Sequence, residues 1–246
     1  MTQSPSGAAP FPTTRCSAIA ALRSDDAEER RRSWDAVVTA YWRPVYKYVR
    51  TRRRASREDA EDLVQAFFAR ALEKDFFDGY DPERARFRTF LRTCVDRFAS
   101  NAHKAARRQK RGGGAAALSL DFDGAEDELA RVGAATSQSP EDLFDREWRR
   151  ALFTLAVEAL RAECDAKGKP VIFTAFERYD LAEPSERPTY DALAKELDLP
   201  ATTITNHLAL ARRELRRLVI ERLETITSSR AELRAEARDL LGVDIG

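Results

Sequence analysis

Apolar residues recur at intervals of three and four along most of this chain, and the alternation typical of strands is nearly absent. Three successive stretches, 34–49, 60–72 and 87–102, each place their apolar residues on one face of a helix. Amphipathic helices of this length bury a common core when they pack together. The spacing predicts an all-α fold whose first domain spans residues 33–111.

The charge of the chain is distributed unevenly, although the net charge of the 246 residues is only +1. Residues 41–111 contain 19 Lys or Arg against 10 Asp or Glu, whereas residues 112–147 contain 2 against 9. Such asymmetry is typical of a nucleic-acid-binding part beside an acidic segment. The net charge is therefore close to zero because the charges of the basic residues 41–111 and the acidic residues 112–147 largely cancel.

The composition changes after the first domain, where three glycines open a polar and acidic stretch. Its Gly, Ser and Ala content predicts a flexible linker over residues 112–139. Ser139-Pro140 then has the pattern of a helix start, so a second helical domain is expected over residues 140–224. Extensions flank these domains at residues 1–32 and 225–246, and apolar residues in the second extension favour a helix that folds back.

Several protein classes are excluded by what the sequence lacks. No uncharged apolar run approaches the ~18–20 residues of a membrane helix, and the first 15 residues hold no apolar signal core. Cys16, Cys94 and Cys164 are too far apart to suggest a disulfide framework or a zinc site. Cysteines that are odd in number and scattered favour a reducing cytoplasm. Because no nucleophile–base pair, phosphate-binding loop or metal-ligand cluster is present in the sequence, we expect a protein that is not an enzyme and uses no cofactor or metal.

The most specific local pattern is a helix-turn-helix within residues 190–218. A short helix from Tyr190 to Leu197 is followed by a turn with Asp198 where glycine is usual, and a second helix begins near Ala201. The start of the second helix offers short polar side chains for base edges, and arginines further along suit phosphates. The alternative is an ordinary helical hairpin with a solvated basic face. The candidates for DNA contact are Thr202, Thr203, Thr205, Asn206, His207, Arg212, Arg213 and Arg216.

Cations and aromatic residues are interleaved before and after the third apolar stretch of the first domain. Bases stack on rings while cations follow the phosphate backbone, so this composition favours single-stranded nucleic acid. Phe87 and Phe90 fall on the core side of their helix, which makes Tyr80 and the cations the better candidates. The residues predicted to bind here are Tyr80, Arg84, Arg86, Arg88, Arg92, Arg97, Asn101, Lys104, Arg107 and Arg108.

Together these motifs resemble a bacterial sigma factor of the extracytoplasmic-function (ECF) type. The stretch Glu58-Asp59-Ala60-Glu61-Asp62-Leu63-Val64-Gln65-Ala66-Phe67-Phe68 looks like the acidic helix with which that family docks on the polymerase clamp. The stretch Tyr80-Asp81-Pro82-Glu83-Arg84-Ala85-Arg86-Phe87-Arg88-Thr89-Phe90-Leu91 is similar to its promoter-melting segment, usually close to FDPERGSFRAWL, with Phe90 where tryptophan is usual.

The resemblance implies an adaptor that binds core RNA polymerase and promoter DNA. Its first domain would hold the melted −10 element, and its helix-turn-helix would read the −35 element. The acidic linker would lie near the polymerase channels and mimic nucleic acid. The residues implied to contact polymerase are Asp59, Glu61, Asp62, Gln65 and Phe68.

The sequence leaves two matters open. The first is whether the chain is instead a free-standing helix-turn-helix regulator, or an RNA-binding interaction protein that uses the basic helices. The acidic helix around Asp62 favours the polymerase subunit, since the other two have no need of it. The second is how activity is restrained: by an anti-sigma factor, by the C-terminal tail, or by a Ser/Thr kinase.

Overall fold

The computed structural model describes residues 18–73, 76–106, 120–132 and 139–245, and within these ranges every regular element is a helix. This agrees with the predicted all-α fold. In chain order the helices are α1 (Ala18–Ala21), α2 (Ala27–Arg53), α3 (Arg57–Ala71), α4 (Phe87–Ala106), α5 (Phe122–Val132), α6 (Pro140–Ala166), α7 (Pro170–Asp180), α8 (Tyr190–Glu196), α9 (Ala201–Ile226) and α10 (Arg230–Leu241). Among the described residues, none of these helices is both long and apolar enough to cross a membrane.

Serine side chains define three of the helix starts. The Ser56 hydroxyl accepts the backbone N–H of Asp59 at the start of α3, and Ser139 accepts that of Asp142 at the start of α6, both at 3.1 Å. Ser229 caps α10 in the same way. A side-chain oxygen here satisfies an N–H that the helix itself leaves unpaired. The helix start expected at Ser139 is thus confirmed.

The predicted apolar face of α2 is the centre of the fold. Its Tyr41 and Tyr48 are each 1% exposed, and the helix contacts α1, α3, α5, α6 and α9. Tyr41 stacks on Trp148 of α6 with ring centroids 6.4 Å apart, and Tyr48 meets Phe144 of α6 edge-on at 5.7 Å. The first half of α6 therefore packs on α2, while α6 also contacts α7 and α9. The buried residues of these helices belong to one hydrophobic cluster.

The predicted linker differs from expectation over residues 120–132. This part includes the helix α5, whose Phe122 is 7% exposed and packs against Trp42 at 5.6 Å and Tyr46 at 5.0 Å. The buried Phe122 and the carboxylates of Glu126 and Glu128, which pair with cations of α2, hold this helix against α2. The remainder of the linker, at 112–119 and 133–138, lies outside the described residues.

The predicted C-terminal helix is present as α10. It follows an extended residue, Thr227, and turns back against α9. Its Ala237 is fully buried and its Leu233 and Leu240 pack against the core. The last extension of the chain is therefore part of the folded structure.

Candidate nucleic-acid and protein interfaces

Helix α3 presents most of its acidic residues on its outer face. Ala60, Val64 and Phe67 are fully buried against the core, which turns the opposite side outward. Asp59 and Asp62 are exposed, and Glu61 and Gln65 are half-buried. These four of the residues predicted to contact polymerase share an accessible surface.

Phe68 is placed differently from its expected role. Its side chain is fully buried and meets Trp34 edge-on at 5.8 Å and Phe67 at 5.2 Å. The cause is helical phase, because Phe68 is one turn beyond Val64 and shares its inward face. In this structure Phe68 is a packing residue of the core, and its ring is not offered to a partner.

Tyr80 lies in an aromatic cluster just before α4. Its ring is 5.2 Å from that of Phe87 and 5.1 Å from that of Phe90, and the residue is 7% exposed. The phenol oxygen is 2.9 Å from the Ser228 hydroxyl and 3.2 Å from a carboxylate oxygen of Glu232. Burial raises the pKa of Tyr80 to about 12, and the charge on Glu232 acts in the same direction. The phenol therefore stays protonated at neutral pH.

The arginines around Tyr80 are engaged by carboxylates of α10. The Arg86 guanidinium lies 2.6 Å from Asp239 and 3.3 Å from Glu236. Arg88 is only 6% exposed, with its Nε 3.1 Å from Glu236 and its guanidinium 4.8 Å from the centre of the Trp148 ring. Two of the cations predicted to follow a nucleic-acid backbone are thus occupied within the chain.

The remaining predicted residues of this surface are spread along α4 and the turn before it. Arg84 is exposed beside Asp81, Arg97 and Asn101 are exposed, and Arg92 is half-buried. A pocket of about 200 Å³ opens beside Tyr80 and is lined by Arg84, Phe90 and Arg97 among others. The other predicted residues fall where no side chain is described: Lys104 within α4, and Arg107 and Arg108 outside the described residues.

The helix-turn-helix forms as the sequence predicts. Thr189 caps α8 by accepting the N–H of Ala192 at 3.2 Å, and Asp198 takes a left-handed backbone with φ of 51°. Ile204 and Leu208 of α9 are fully buried. Asp tolerates the left-handed conformation that the turn requires, so it takes the usual place of glycine.

The first turns of α9 expose polar side chains toward solvent. Thr202, Thr205 and Asn206 are exposed, whereas Thr203 and His207 are half-buried. The Thr205 hydroxyl donates to the Ala201 carbonyl at 3.1 Å, which fixes its orientation. These residues form the surface predicted to read base edges.

The arginines that follow on α9 are not equivalent. Arg212 donates two hydrogen bonds of 2.9 Å to Asp180 of α7, and its guanidinium lies 5.8 Å from the Tyr179 ring. Arg213 and Arg216 are exposed. Arg212 therefore joins α9 to α7. Arg213 and Arg216 are the more accessible to a phosphate.

Ion pairs connect the acidic helix α5 to the basic face of α2. Glu126 accepts from Arg50 at 2.6 Å and from the Tyr46 hydroxyl at 2.7 Å. Lys47, only 1% exposed, donates to Glu128 at 2.6 Å and to Glu147 of α6 at 2.5 Å. The basic and acidic blocks thus neutralise each other partly within the chain.

Sequence reasoning did not identify Glu232, Glu236 and Asp239 as part of this surface. A signal was present, because a spacing of four and then three residues places all three carboxylates on one face of a helix. What the sequence could not provide was the partner, which lies about 150 positions away along the chain.

Comparison with known proteins identifies the N-terminal block. Residues 37–110 match the family model described as Sigma-70 region 2, which includes most of α2 and all of α3 and α4. Searches of curated proteins and of solved structures found no match. A region 2 domain implies a role in promoter-directed transcription, with binding to core RNA polymerase and promoter DNA. Residues 37–110 therefore match sigma-70 region 2, and this match supports a sigma-70 family factor.

Proposed function

We propose that this chain is a sigma factor of the ECF type that directs core RNA polymerase to promoters with defined −10 and −35 elements. The observation that carries the proposal is the region 2 match at residues 37–110 in a chain that also contains a helix-turn-helix at 190–216. A helix-turn-helix by itself occurs in many kinds of DNA-binding protein. Its combination with a region 2 match suits a protein that contacts two promoter elements. Its role is that of an adaptor without catalysis of its own.

Docking on polymerase is assigned to the outer face of α3. Asp62 is exposed and Gln65 is half-buried, so both side chains reach a partner without rearrangement of the core. Asp59 and Glu61 extend the same face. Carboxylates presented in this way suit a basic helical surface on the partner.

Capture of the melted −10 element is assigned to the surface around Tyr80 and α4. The half-buried Phe90 ring offers stacking of roughly 1–3 kcal/mol per base, and the exposed Arg84 and Arg97 offer contacts to the phosphate backbone. The pocket of about 200 Å³ beside Tyr80 and Phe90 provides room on this surface.

Reading of the −35 element is assigned to the start of α9. Thr202, Asn206 and their neighbours lie where a recognition helix contacts base edges in the major groove. Arg213 and Arg216 further along suit phosphates.

The test is transcription with purified core RNA polymerase on fragmented genomic DNA of the source organism, read by sequencing RNA 5′ ends. We expect new start sites that share two sequence elements, and about tenfold weaker co-purification with core when Asp62→Ala and Gln65→Ala are combined. Glu183→Ala, at an exposed loop residue, is the matched control. Binding of duplex DNA without core association would instead indicate a free-standing helix-turn-helix regulator.

A further inference from the structure

Helix α10 lies across the surface to which the proposed function assigns the melted −10 strand. The Glu232 carboxylate accepts the backbone N–H of Phe87 at 2.6 Å and lies 3.2 Å from the Tyr80 hydroxyl. Both contacts fall on the segment 80–92, which holds the aromatic cluster and the arginines. Glu232 is itself only 8% exposed, so the helix covers the part of this segment around Phe87 and the Tyr80 hydroxyl, whereas Arg84 stays exposed.

Two carboxylates of α10 occupy the arginines of that segment. Glu236 is 1% exposed and lies between Arg86, at 3.3 Å, and Arg88, at 3.1 Å. Asp239 adds a second contact to Arg86 at 2.6 Å. Arg86 donates hydrogen bonds to both carboxylates, and Arg88 is held by charge alone; a phosphate binds a guanidinium by the same two means. The carboxylates of α10 and the phosphates of a DNA strand therefore compete for the same groups.

The connection between α9 and α10 holds the helix in this position. The Thr227 hydroxyl donates to the Leu223 carbonyl at 2.8 Å, and both the backbone N–H and the hydroxyl of Ser228 lie 2.8 Å from Glu232. Tethering of this kind gives a competitor a high effective concentration at its site.

The packing of α9 on α2 and α6 holds the two proposed DNA-reading surfaces close together. Ser228 touches Tyr80, and α9, with its 26 residues, spans only about 39 Å from there to the recognition residues. Elements centred about 25 base pairs apart lie about 85 Å apart on B-DNA, at about 3.4 Å per base pair. In this packed arrangement the two surfaces lie closer together than the two elements do on B-DNA.

We propose that α10 is an autoinhibitory helix that covers the −10 surface of the free chain and must leave before promoter melting. This inference rests on the proposed sigma-factor function. It assigns Glu232, Glu236 and Asp239 as an internal substitute for DNA phosphates.

Two full-chain substitutions release the helix without altering any residue assigned to DNA or polymerase contact. Glu236→Lys places a cation beside Arg86 and Arg88, and Ala237→Glu places a carboxylate at a fully buried position. The matched controls are Glu186→Lys, the same charge change at an exposed loop residue, and Ala231→Glu, on the exposed side of α10. Hydrogen–deuterium exchange of α10 reports its release directly.

With saturating core polymerase, both released variants should raise transcription about tenfold over wild type, which corresponds to an undocked fraction of roughly one in ten. The controls should match wild type in exchange and in transcription. Equal transcription by released and wild-type chains, with core binding intact, overturns the inference. If both substitutions leave α10 protected, a chain that ends at Thr227 removes it, and unchanged transcription by that chain overturns the inference equally. Failure of every variant to bind core contradicts the proposed function instead.

Discussion

The backbone N–H of Phe87 donates a hydrogen bond of 2.6 Å to the carboxylate of Glu232, across 145 positions of sequence. Phe87 is the first residue of α4, where backbone N–H groups have no partner within the helix. A carboxylate at this position satisfies a donor and interacts favourably with the helix dipole. The C-terminal helix thus completes the start of the helix that carries the predicted DNA-binding residues.

Loss of the Glu232 carboxylate should loosen α10 and destabilise the fold. Glu232→Ala leaves the buried Phe87 N–H without an acceptor, and we expect a decrease of about 1–3 kcal/mol in the free energy of unfolding. Urea denaturation followed by circular dichroism measures it. Glu224→Ala, at an exposed residue of α9, is the control, and equal stability of the two variants would contradict the assigned contact.

The buried Lys47 should stabilise the fold mainly by neutralising the carboxylate of Glu147. Lys47→Ala leaves Glu147, which is 3% exposed, without its 2.5 Å ion pair, and we expect a loss of about 3–5 kcal/mol in unfolding free energy. Lys47→Met combined with Glu147→Leu removes both charges and should recover most of that loss. A double variant no more stable than Lys47→Ala would show that the pair itself, rather than the stranded charge, determines stability.

Acidification should release α5 from α2. Hydrogen bonds from Arg50 hold the pKa of Glu126 below its ordinary value, although burial of the carboxyl acts in the opposite direction. Because the pKa is depressed in the folded state, the stabilisation is complete above the unfolded pKa of about 4.3 and is lost as the pH falls through the folded pKa. Hydrogen exchange of α5 across this range should show the release, and Glu126→Gln should remove its dependence on this carboxyl. Identical pH profiles for the two proteins would refute the assignment.

Arg212 and Arg216 should differ in their contribution to DNA binding. Arg216 is exposed, so Arg216→Ala should weaken binding across sequences and lower the salt slope by about 1. Arg212 is held by two hydrogen bonds to Asp180, so Arg212→Ala should change the slope less and the stability more. The measurement is the salt dependence of binding to a promoter duplex that the transcription experiment has identified. It compares the slopes of the two variants with that of the wild type. A larger slope change for Arg212 would mean that its pair with Asp180 opens on DNA.

Base reading should reside in the first turns of α9. Thr203→Ala and Asn206→Ala remove side chains from the predicted major-groove surface while Ile204 and Leu208 keep the helix packed. We expect an altered preference at the −35 element with similar stability, measured by 5′-end sequencing and thermal unfolding. An unchanged promoter profile would argue against base contacts by these two residues.

Local features of this fold followed from the sequence because their causes are local. The caps at Ser56 and Ser139 depend on residues three positions away, and the left-handed turn at Asp198 depends on one residue between two apolar helices. The burial of Phe68 also follows from helical phase, since it lies one turn beyond Val64.

Contacts between residues that are far apart in the sequence could not be predicted in this way. The carboxylates of α5 and α10 were visible in the sequence as acidic residues, and nothing local assigned them to particular cations. Glu126 meets Arg50 across 76 positions, and Asp239 meets Arg86 across 153. Many basic residues satisfy a carboxylate equally well, so the choice depends on which helices pack together.

The sequence by itself determined most of the long helices, the helix-turn-helix and the resemblance to sigma-70 region 2, because apolar spacing and short motifs encode these within a few turns of chain. Only the tertiary structure decided that α5 and α10 fold onto the basic domain, and that Tyr80, Arg86 and Arg88 are engaged by the tail. The physical reason is that helix packing brings together charges whose separation in sequence carries no information about their pairing.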